Sequence, residues 1–170
     1  VFDTNRELAG QFISEMEKRF KLEMVYTSGI RQLKEADIIC TATNSQKPLF
    51  SREDVKDGVH INAIGSFQPH MQELDPLLIR EARVFLDQRA PCLKESGDLI
   101  KPIQDGVISE SHIAGEIGDF LLERITGRES EKQLTLFKSV GVAIQDYVVA
   151  SDIYNYSLEQ GFGIEIRSEE

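Results

Sequence analysis

Two apolar segments of this chain stop abruptly at small residues, and this pattern restricts the possible fold more than any other feature. Residues 60–64 (HINAI) run into Gly65 and Ser66, and residues 134–137 (LTLF) run into residues 138–141 (KSVG). A strand that ends in Gly or Ser leaves backbone amides open where a flat ligand can approach, and α/β sheets bind ligands at the carboxyl ends of their strands. The sequence therefore predicts a ligand site at one edge of a parallel sheet.

Strand and helix signals alternate along the chain, which predicts an α/β fold: a Rossmann-like, mostly parallel sheet with helices on both faces. Predicted strands lie at residues 1–3, 22–26, 37–41, 60–64, 83–87 and 134–137. Predicted helices begin after a cap at Thr4 and lie at residues 30–36, 76–82, 88–95, 116–126 and 141–160, whereas 98–111 is expected to be irregular. We expect one domain over residues 1–163, followed by a frayed tail at 164–170.

Composition excludes several classes of function. The chain has 170 residues, a net charge of −10 and a pI near 4.8, so nucleic acid or an anionic membrane would be repelled. Its three histidines, His60, His70 and His112, are too scattered to indicate zinc. Cys40 and Cys92 follow no disulfide or metal pattern, which favours a reducing compartment and a cytoplasmic location.

Asp3 stands at a strand-to-helix transition typical of the second strand of a dinucleotide-binding unit. An acid there accepts hydrogen bonds from the adenosine ribose and repels a 2′-phosphate, which favours NAD(H) over NADP(H). The alternative is an acidic residue in an ordinary turn. The Gly-rich phosphate loop should lie ~20 residues upstream. We therefore expect the sheet to be incomplete at its N-terminal end, with its first strand and Gly-rich loop outside this chain.

Five segments together resemble the ornithine cyclodeaminase/mu-crystallin family, in the family's order. They read ADIICTATNS, GVHINAIGSFQPHMQELD, ARVFLDQRAPCLKESGDL, GEIGDFLLERITGR and TLFKSVGVAIQDYVVA. The resemblance implies the NAD(H)-binding part of an oxidoreductase that transfers hydride at the α-carbon of an amino acid or its imine. It also implies a homodimer formed through an N-terminal domain that is missing here, and a small amino-acid or imine substrate.

The resemblance also assigns residues to the cofactor. Asp3 matches the ribose-binding acid, and a second group matches segments that lie along the cofactor and the nicotinamide. The backbone amides of the last segment are expected to bind the carboxamide. This second group comprises Thr41, Ala42, Thr43, Ile64, Gly65, Ser66, Lys138, Ser139, Val140 and Gly141.

Phe67 departs from the family pattern, because true cyclodeaminases carry an aspartate there as their proposed acid/base. A phenyl ring cannot carry a proton, which favours a reductase or dehydrogenase. A nucleotide-binding protein without turnover, and a cyclodeaminase despite Phe67, stay open. The catalytic residue is unknown: His70 is a candidate, with an exposed histidine without a role as the alternative. Glu73 is expected to bind backbone amides, and the segment Glu95–Asp98 could face the substrate.

Overall fold

The computed structural model describes residues 1–164 and 166, and within that part of the chain five parallel strands form one sheet. The strand order is β1-β2-β5-β3-β4. The strands are β1 Ile38–Thr41, β2 His60–Ala63, β3 Arg83–Leu86, β4 Ile113–Glu116 and β5 Thr135–Lys138. The α-helices are α1 Arg6–Phe20, α2 Pro76–Glu81, α3 Arg89–Glu95, α4 Gly97–Gln104, α5 Ile117–Leu121 and α6 Ala143–Gln160. The predicted class, an α/β Rossmann-like parallel sheet, is confirmed.

The register brings the carboxyl ends of the central strands to one level. Thr41 at the end of β1 pairs with Ala63 at the end of β2, and Ala63 pairs with Lys138 at the end of β5. Leu86 at the end of β3 pairs with Lys138 from the other side. Because the strands are parallel, the segments that follow them all begin at this edge.

The main core lies on one face of the sheet. Ile61 of β2 and Leu136 of β5 are completely buried there. They belong to one apolar cluster with Leu78 of α2, Cys92 of α3 and Leu99 of α4. Because helices cover this face more fully than the other, buried and half-buried residues alternate along β2.

The opposite face has much less cover. Phe120 of α5 packs on Phe85 of β3, with ring centroids 6.1 Å apart. Helix α1 buries only Ala9 among its described residues, and α6 buries none, so both lie largely outside the core. The face formed by β2, β5 and β3 borders an open cavity of about 370 Å³ beside α5.

Two predicted strands near the N-terminus are wrong. Residues 1–3 and 22–26 have no regular secondary structure, although the Val1 amino group donates to the Val25 carbonyl and the Thr27 amide donates to the Val1 carbonyl. One such exchange is too short to make a ladder, so no strand forms. The predicted cap at Thr4 is also displaced by one residue, because Asn5 Oδ1 accepts the amides of Glu7 and Leu8, both at 3.1 Å.

The middle of the chain is more regular than the sequence predicted. Residues 98–111 were expected to be irregular, yet α4 spans Gly97–Gln104 with Pro102 inside it. Burial of Leu99 and Pro102 outweighs the one backbone hydrogen bond that a proline cannot donate. The strand β4 was missed because its sequence, Ile-Ala-Gly-Glu, has weak strand propensity.

Other boundaries differ only at their ends. The helix predicted for 116–126 begins at Ile117 and ends at Leu121, since Glu123 adopts a left-handed conformation with φ 59°. Helix α6 begins at Ala143, two residues later than predicted, and ends at the predicted Gln160. Most of the predicted tail, residue 165 and residues 167–170, lies outside the described residues. No helix in the described part is both long and apolar enough to cross a membrane.

Gly97 gives a test of this packing. Its Cα faces the backbone carbonyls of Pro69 and Met71, so a Cβ there would overlap main-chain atoms that cannot rotate away. We expect Gly97→Ala to lower the free energy of unfolding by ~1–3 kcal/mol, measured by urea denaturation. Gly10→Ala is the matched control, because nothing lies within 4 Å of its Cβ position on α1. Equal stability of the two variants would contradict the packing described here.

Candidate functional site

A cleft of about 830 Å³ opens at the carboxyl edge of β1 and β2. One side is formed by the segment before α1, and the other by the segments that leave the two strands. Its lining is Phe2, Asp3, Thr4, Ala42, Thr43, Asn44, Ser45, Leu49, Ile64, Gly65 and Phe67. The edge where parallel strands end is where α/β proteins bind ligands, which makes this cleft the candidate site.

Glu73 holds the two strand ends together from beneath the cleft. Its side chain is completely buried. One carboxylate oxygen accepts the Thr43 amide at 2.5 Å, and the other accepts the Thr41 hydroxyl at 2.8 Å and the Gly65 amide at 2.9 Å. The prediction that Glu73 binds backbone amides is confirmed. Through it, the segments after β1 and β2 share one acceptor.

Gly65 makes this close arrangement possible. A Cβ at position 65 would collide with the Thr43 backbone and with the Glu73 carboxylate. The glycine is therefore required by the approach of these groups rather than by an unusual backbone angle.

A buried ion pair lies behind Glu73. Asp98 Oδ1 accepts the Glu73 amide at 2.7 Å and the Leu74 amide at 3.0 Å. Its Oδ2 lies 3.6 Å from Lys138 Nζ, which donates to the Ala63 carbonyl at 3.0 Å. Burial raises the pKa of Asp98 and lowers that of Lys138, and the attraction between the two charges opposes both shifts.

Asp87 holds the segment after β5 in a similar way. Its Oδ2 accepts the Ser139 hydroxyl at 2.7 Å and the amides of Val140 and Gly141, both at 3.0 Å. Its Oδ1 accepts the Cys92 thiol at 2.9 Å. Burial alone would raise the pKa of Asp87, but the hydrogen bonds from Cys92 and Ser139 and from backbone amides outweigh it and lower the pKa. Burial and the nearby Asp87 raise the pKa of the Cys92 thiol to about 12, so this thiol stays protonated.

The structure brings together about half of the residues that the sequence assigned to a cofactor. Five of them share the cleft: Asp3, Ala42, Thr43, Ile64 and Gly65. Ser139 lies one strand further on, with its amide bound to the Ala63 carbonyl at 3.1 Å, next to Ile64. Whether these residues bind a cofactor stays a prediction.

Three of the assigned side chains point into the protein. Thr41 donates to Glu73, Ser66 donates to the Met71 carbonyl, and Lys138 is completely buried. Their side chains build the edge rather than face the cleft. The expected carboxamide donors also need correction, since the amides of Val140 and Gly141 already donate to Asp87.

The other residues considered for the site lie at different positions relative to the cleft. Phe67 lines the cleft and is 47% exposed. His70 is exposed outside the cleft lining, and its catalytic role stays a prediction. The expectation that Asp98 faces a substrate is wrong, because it binds backbone amides in the interior. Within residues 1–164 and 166, no cluster of His, Cys, Asp or Glu side chains could hold a metal.

Asp87 was missed by reasoning from the sequence alone. Its signal was present, since an acid that directly follows an apolar strand is placed at the carboxyl edge. What the sequence did not show is the neighbour order, in which β5 lies between β2 and β3. That order puts Asp87 beside the segment after β5, which is 52 residues away from it in the chain.

The fold and the cleft define an α/β domain of the dinucleotide-binding type. The profile of the ornithine cyclodeaminase/mu-crystallin family matches residues 1–161, and the chain belongs to this family. The chain spans about half the length of the curated relatives it matches.

Three similar proteins agree with this assignment. Delta(1)-pyrroline-2-carboxylate reductase of Bacillus cereus is 41% identical over 165 residues, which cover 96% of this chain and 50% of the relative. The structure of the Thermococcus litoralis enzyme of that name, in complex with NADH and L-proline, has a TM-score of 0.93 at 35% identity and covers 98% of this chain and 52% of its own. An archaeal alanine dehydrogenase dimer with bound NAD has a TM-score of 0.88 at 31% identity, covering 98% and 51%.

The buried pair Asp98–Lys138 provides a prediction. Lys138→Met leaves an unpaired buried carboxylate, so we expect a loss of ~3–5 kcal/mol in the free energy of unfolding. Adding Asp98→Asn removes that charge while its Oδ1 can still accept the Glu73 and Leu74 amides. We expect the double variant to recover at least ~1 kcal/mol relative to Lys138→Met, measured by urea denaturation.

The exposed pair Lys56–Asp37 is the control. Its atoms are 2.6 Å apart, but the Asp37 side chain is 90% exposed. We expect Lys56→Met to cost less than ~1 kcal/mol. Additive losses in the Lys138 and Asp98 variants would show that the two buried groups do not interact.

Proposed function

We propose that this chain is the NAD(H)-binding part of an oxidoreductase that transfers a hydride at the α-carbon of an amino acid or its imine. The observation that carries the proposal is the shared cleft of Asp3 and Gly65 at the carboxyl edge of the sheet. The NADH and NAD present in the two structural relatives support the same cofactor. Their names support a small amino-acid or imine substrate, with a cyclic imino acid first.

The residues present fit a dinucleotide. Asp3 is exposed in the cleft, where its carboxylate accepts the Asn5 amide at 2.6 Å and keeps further acceptor capacity for ribose hydroxyls. Its negative charge disfavours a 2′-phosphate, so NAD(H) is proposed over NADP(H). Gly65 forms part of the cleft wall, where a Cβ would meet the Thr43 backbone and the Glu73 carboxylate.

Bound NADH would supply the hydride, and the chain's own residues hold the site in shape. Glu73 sets the separation between Thr43 and Gly65, and Asp87 sets the position of residues 139–141. Hydride transfer requires reacting carbons within roughly 3–3.5 Å, so rigid strand ends serve this reaction directly. Burial of both carboxylates keeps water from competing for these hydrogen bonds.

Phe67 favours a reductase or dehydrogenase over a cyclodeaminase. It lines the cleft next to Gly65 and offers an apolar ring instead of an acid/base. This opposes a cyclodeaminase. It is also compatible with a protein that binds nucleotide without turnover, which the assay below separates.

Partners and location form part of the proposal. The archaeal alanine dehydrogenase is a dimer, and we propose a homodimer for the protein that contains this chain. Both cysteines are free thiols, which fits the reducing environment of the cytoplasm.

The full-length protein tests the proposed reaction. We expect NADH oxidation, followed by absorbance at the nicotinamide band, with a cyclic imine carboxylate or with an α-keto acid plus ammonia. NADH fluorescence titration measures binding separately. Binding without turnover across these substrates would favour the non-catalytic alternative, ammonia release from ornithine would favour the cyclodeaminase, and absence of binding would refute the proposal.

Asp3 tests the cofactor preference. In Asp3→Ser the carboxylate that accepts ribose hydroxyls and repels phosphate is gone, so we expect NADH to bind ~tenfold more weakly and NADPH more tightly. Dissociation constants from fluorescence titration give the ratio. Glu15→Gln, an exposed acid further along α1, is the control and should leave the ratio unchanged. An unaltered ratio in Asp3→Ser would remove Asp3 from the site.

A further inference from the structure

A second cavity lies on the less covered face of the sheet and shares no lining residue with the cleft. The strand register puts His60 and Asn62 of β2 beside Thr135 and Phe137 of β5 on this face, and Phe85 of β3 beside Phe137. The cavity volume of about 370 Å³ is within the roughly 300–1,000 Å³ typical of small-molecule sites.

A chain of hydrogen bonds joins four residues that line this cavity. Arg128 can only donate, and its Nη2 donates to the Thr135 hydroxyl at 2.9 Å. Thr135 is 4% exposed, so its hydroxyl proton needs an acceptor, and His60 Nδ1 at 2.8 Å is the acceptor that the described residues provide. His60 Nε2 therefore carries the ring hydrogen and donates to Asn62 Oδ1 at 3.3 Å.

The direction of this chain leaves Asn62 with free donors. Burial lowers the pKa of His60, the bond to Asn62 opposes this shift and the charge of Arg128 adds to it, so the ring is neutral. Because Asn62 Oδ1 accepts from His60, its Nδ2 keeps two N–H groups, and no acceptor within residues 1–164 and 166 binds them. Asn62 is half-buried and lines the cavity, so these N–H groups can meet a ligand.

The charge of the cavity differs from that of the whole chain. The chain has a net charge of −10, but the cavity lining contains one arginine and no acidic residue. The lining is His60, Asn62, Phe85, Ile117, Phe120, Gly127, Arg128, Thr135 and Phe137. With a neutral histidine, the positive charge of Arg128 favours an anion and disfavours a cation.

Three aromatic rings make up much of the apolar wall. Phe85 and Phe120 lie with ring centroids 6.1 Å apart and planes tilted by 60°, and Phe137 lies next to Phe85 in the sheet. Phenylalanine rings in such arrangements attract a further aromatic ring, either offset or edge-to-face. The apolar part of the cavity therefore suits a flat ring.

We propose that this cavity is a binding site for a small aromatic carboxylate. The carboxylate accepts the N–H groups of Asn62 on the side that carries the charge of Arg128, and the ring packs among the three phenylalanines. A carboxylate is an acceptor without donors of its own, which matches the free donors of Asn62. This site is separate from the cleft and does not depend on the proposed function.

Binding of 2-naphthoate to the full-length protein tests the site, with dissociation constants from NMR titration of the ligand signals. We expect a dissociation constant of about 1 mM or lower. The cation 2-naphthylmethylamine should bind at least ~tenfold more weakly, and the saturated decahydro-2-naphthoate at least ~threefold more weakly. Absence of 2-naphthoate binding, or equal binding of the amine, would overturn the inference.

Asn62→Asp tests the polar end of the cavity. The aspartate still accepts the His60 hydrogen but replaces the two N–H donors by a negative charge. We expect 2-naphthoate to bind at least ~tenfold more weakly and the amine more tightly. Gln104→Glu adds the same charge at an exposed position of α4 and should leave both dissociation constants unchanged.

Phe120→Ala tests the aromatic wall with an exposed side chain on α5, and 2-naphthoate should bind at least ~threefold more weakly. Leu121→Ala is the matched control, because Leu121 is 72% exposed on the same helix and lies outside the lining. A thermal melt shows whether each variant is folded. Phe67→Ala tests the cleft as the other location: binding lost in that variant and kept in both cavity variants would place the ligand in the cleft and contradict the proposal.

Discussion

The carboxyl edge of this sheet depends on buried carboxylates that bind the backbone amides of the segments leaving the strands. A parallel strand that ends at a ligand cleft leaves N–H groups without ladder partners, and a buried unpaired N–H costs about 1–3 kcal/mol. Glu73 takes the amides after β1 and β2, and Asp87 takes those after β5. The strand ends keep their positions because the loop after each of these strands is bound to a buried carboxylate.

Burying charged carboxylates costs electrostatic free energy, and one buried lysine offsets part of this cost. Glu73 and Asp98 are both completely buried, and Lys138 is the cation placed against them in the described part of the chain. Burial disfavours the charged forms of these groups. Lys138 offsets part of this penalty by donating to the Ala63 carbonyl, and Asp98 by accepting the amides of Glu73 and Leu74. A buried ion pair adds little to the free energy of unfolding. Removing one partner lowers that free energy strongly, because the other charge is left unpaired. These buried groups therefore fix the positions of the strand ends more than they raise the free energy of unfolding.

The sequence predicted the parallel sheet and one part of the site because the signals for both are local in the chain. Local signals sufficed where burial follows the chain, as in β2 and β5, and where a glycine ends a strand, as at Gly65. They failed where the determining contact is distant. Asp87 is 52 residues from Ser139, and Glu73 is 32 residues from Thr41, so neither partner can be read from its own neighbourhood. They also failed at Pro102, where burial overrode propensity.

The residues that line the cleft differ from the carboxylates that hold the strand ends, so the two groups can vary separately. The side chains that line the cleft, such as Asp3 and Phe67, are exposed and have few packing constraints, so they can change with cofactor and substrate. The carboxylates of Glu73 and Asp87 bind backbone amides and also three side-chain donors, the Thr41 and Ser139 hydroxyls and the Cys92 thiol. The part of this binding that goes to backbone amides does not depend on the side chains of the loop. One scaffold can therefore keep its strand ends in place while the lining adopts a different chemistry.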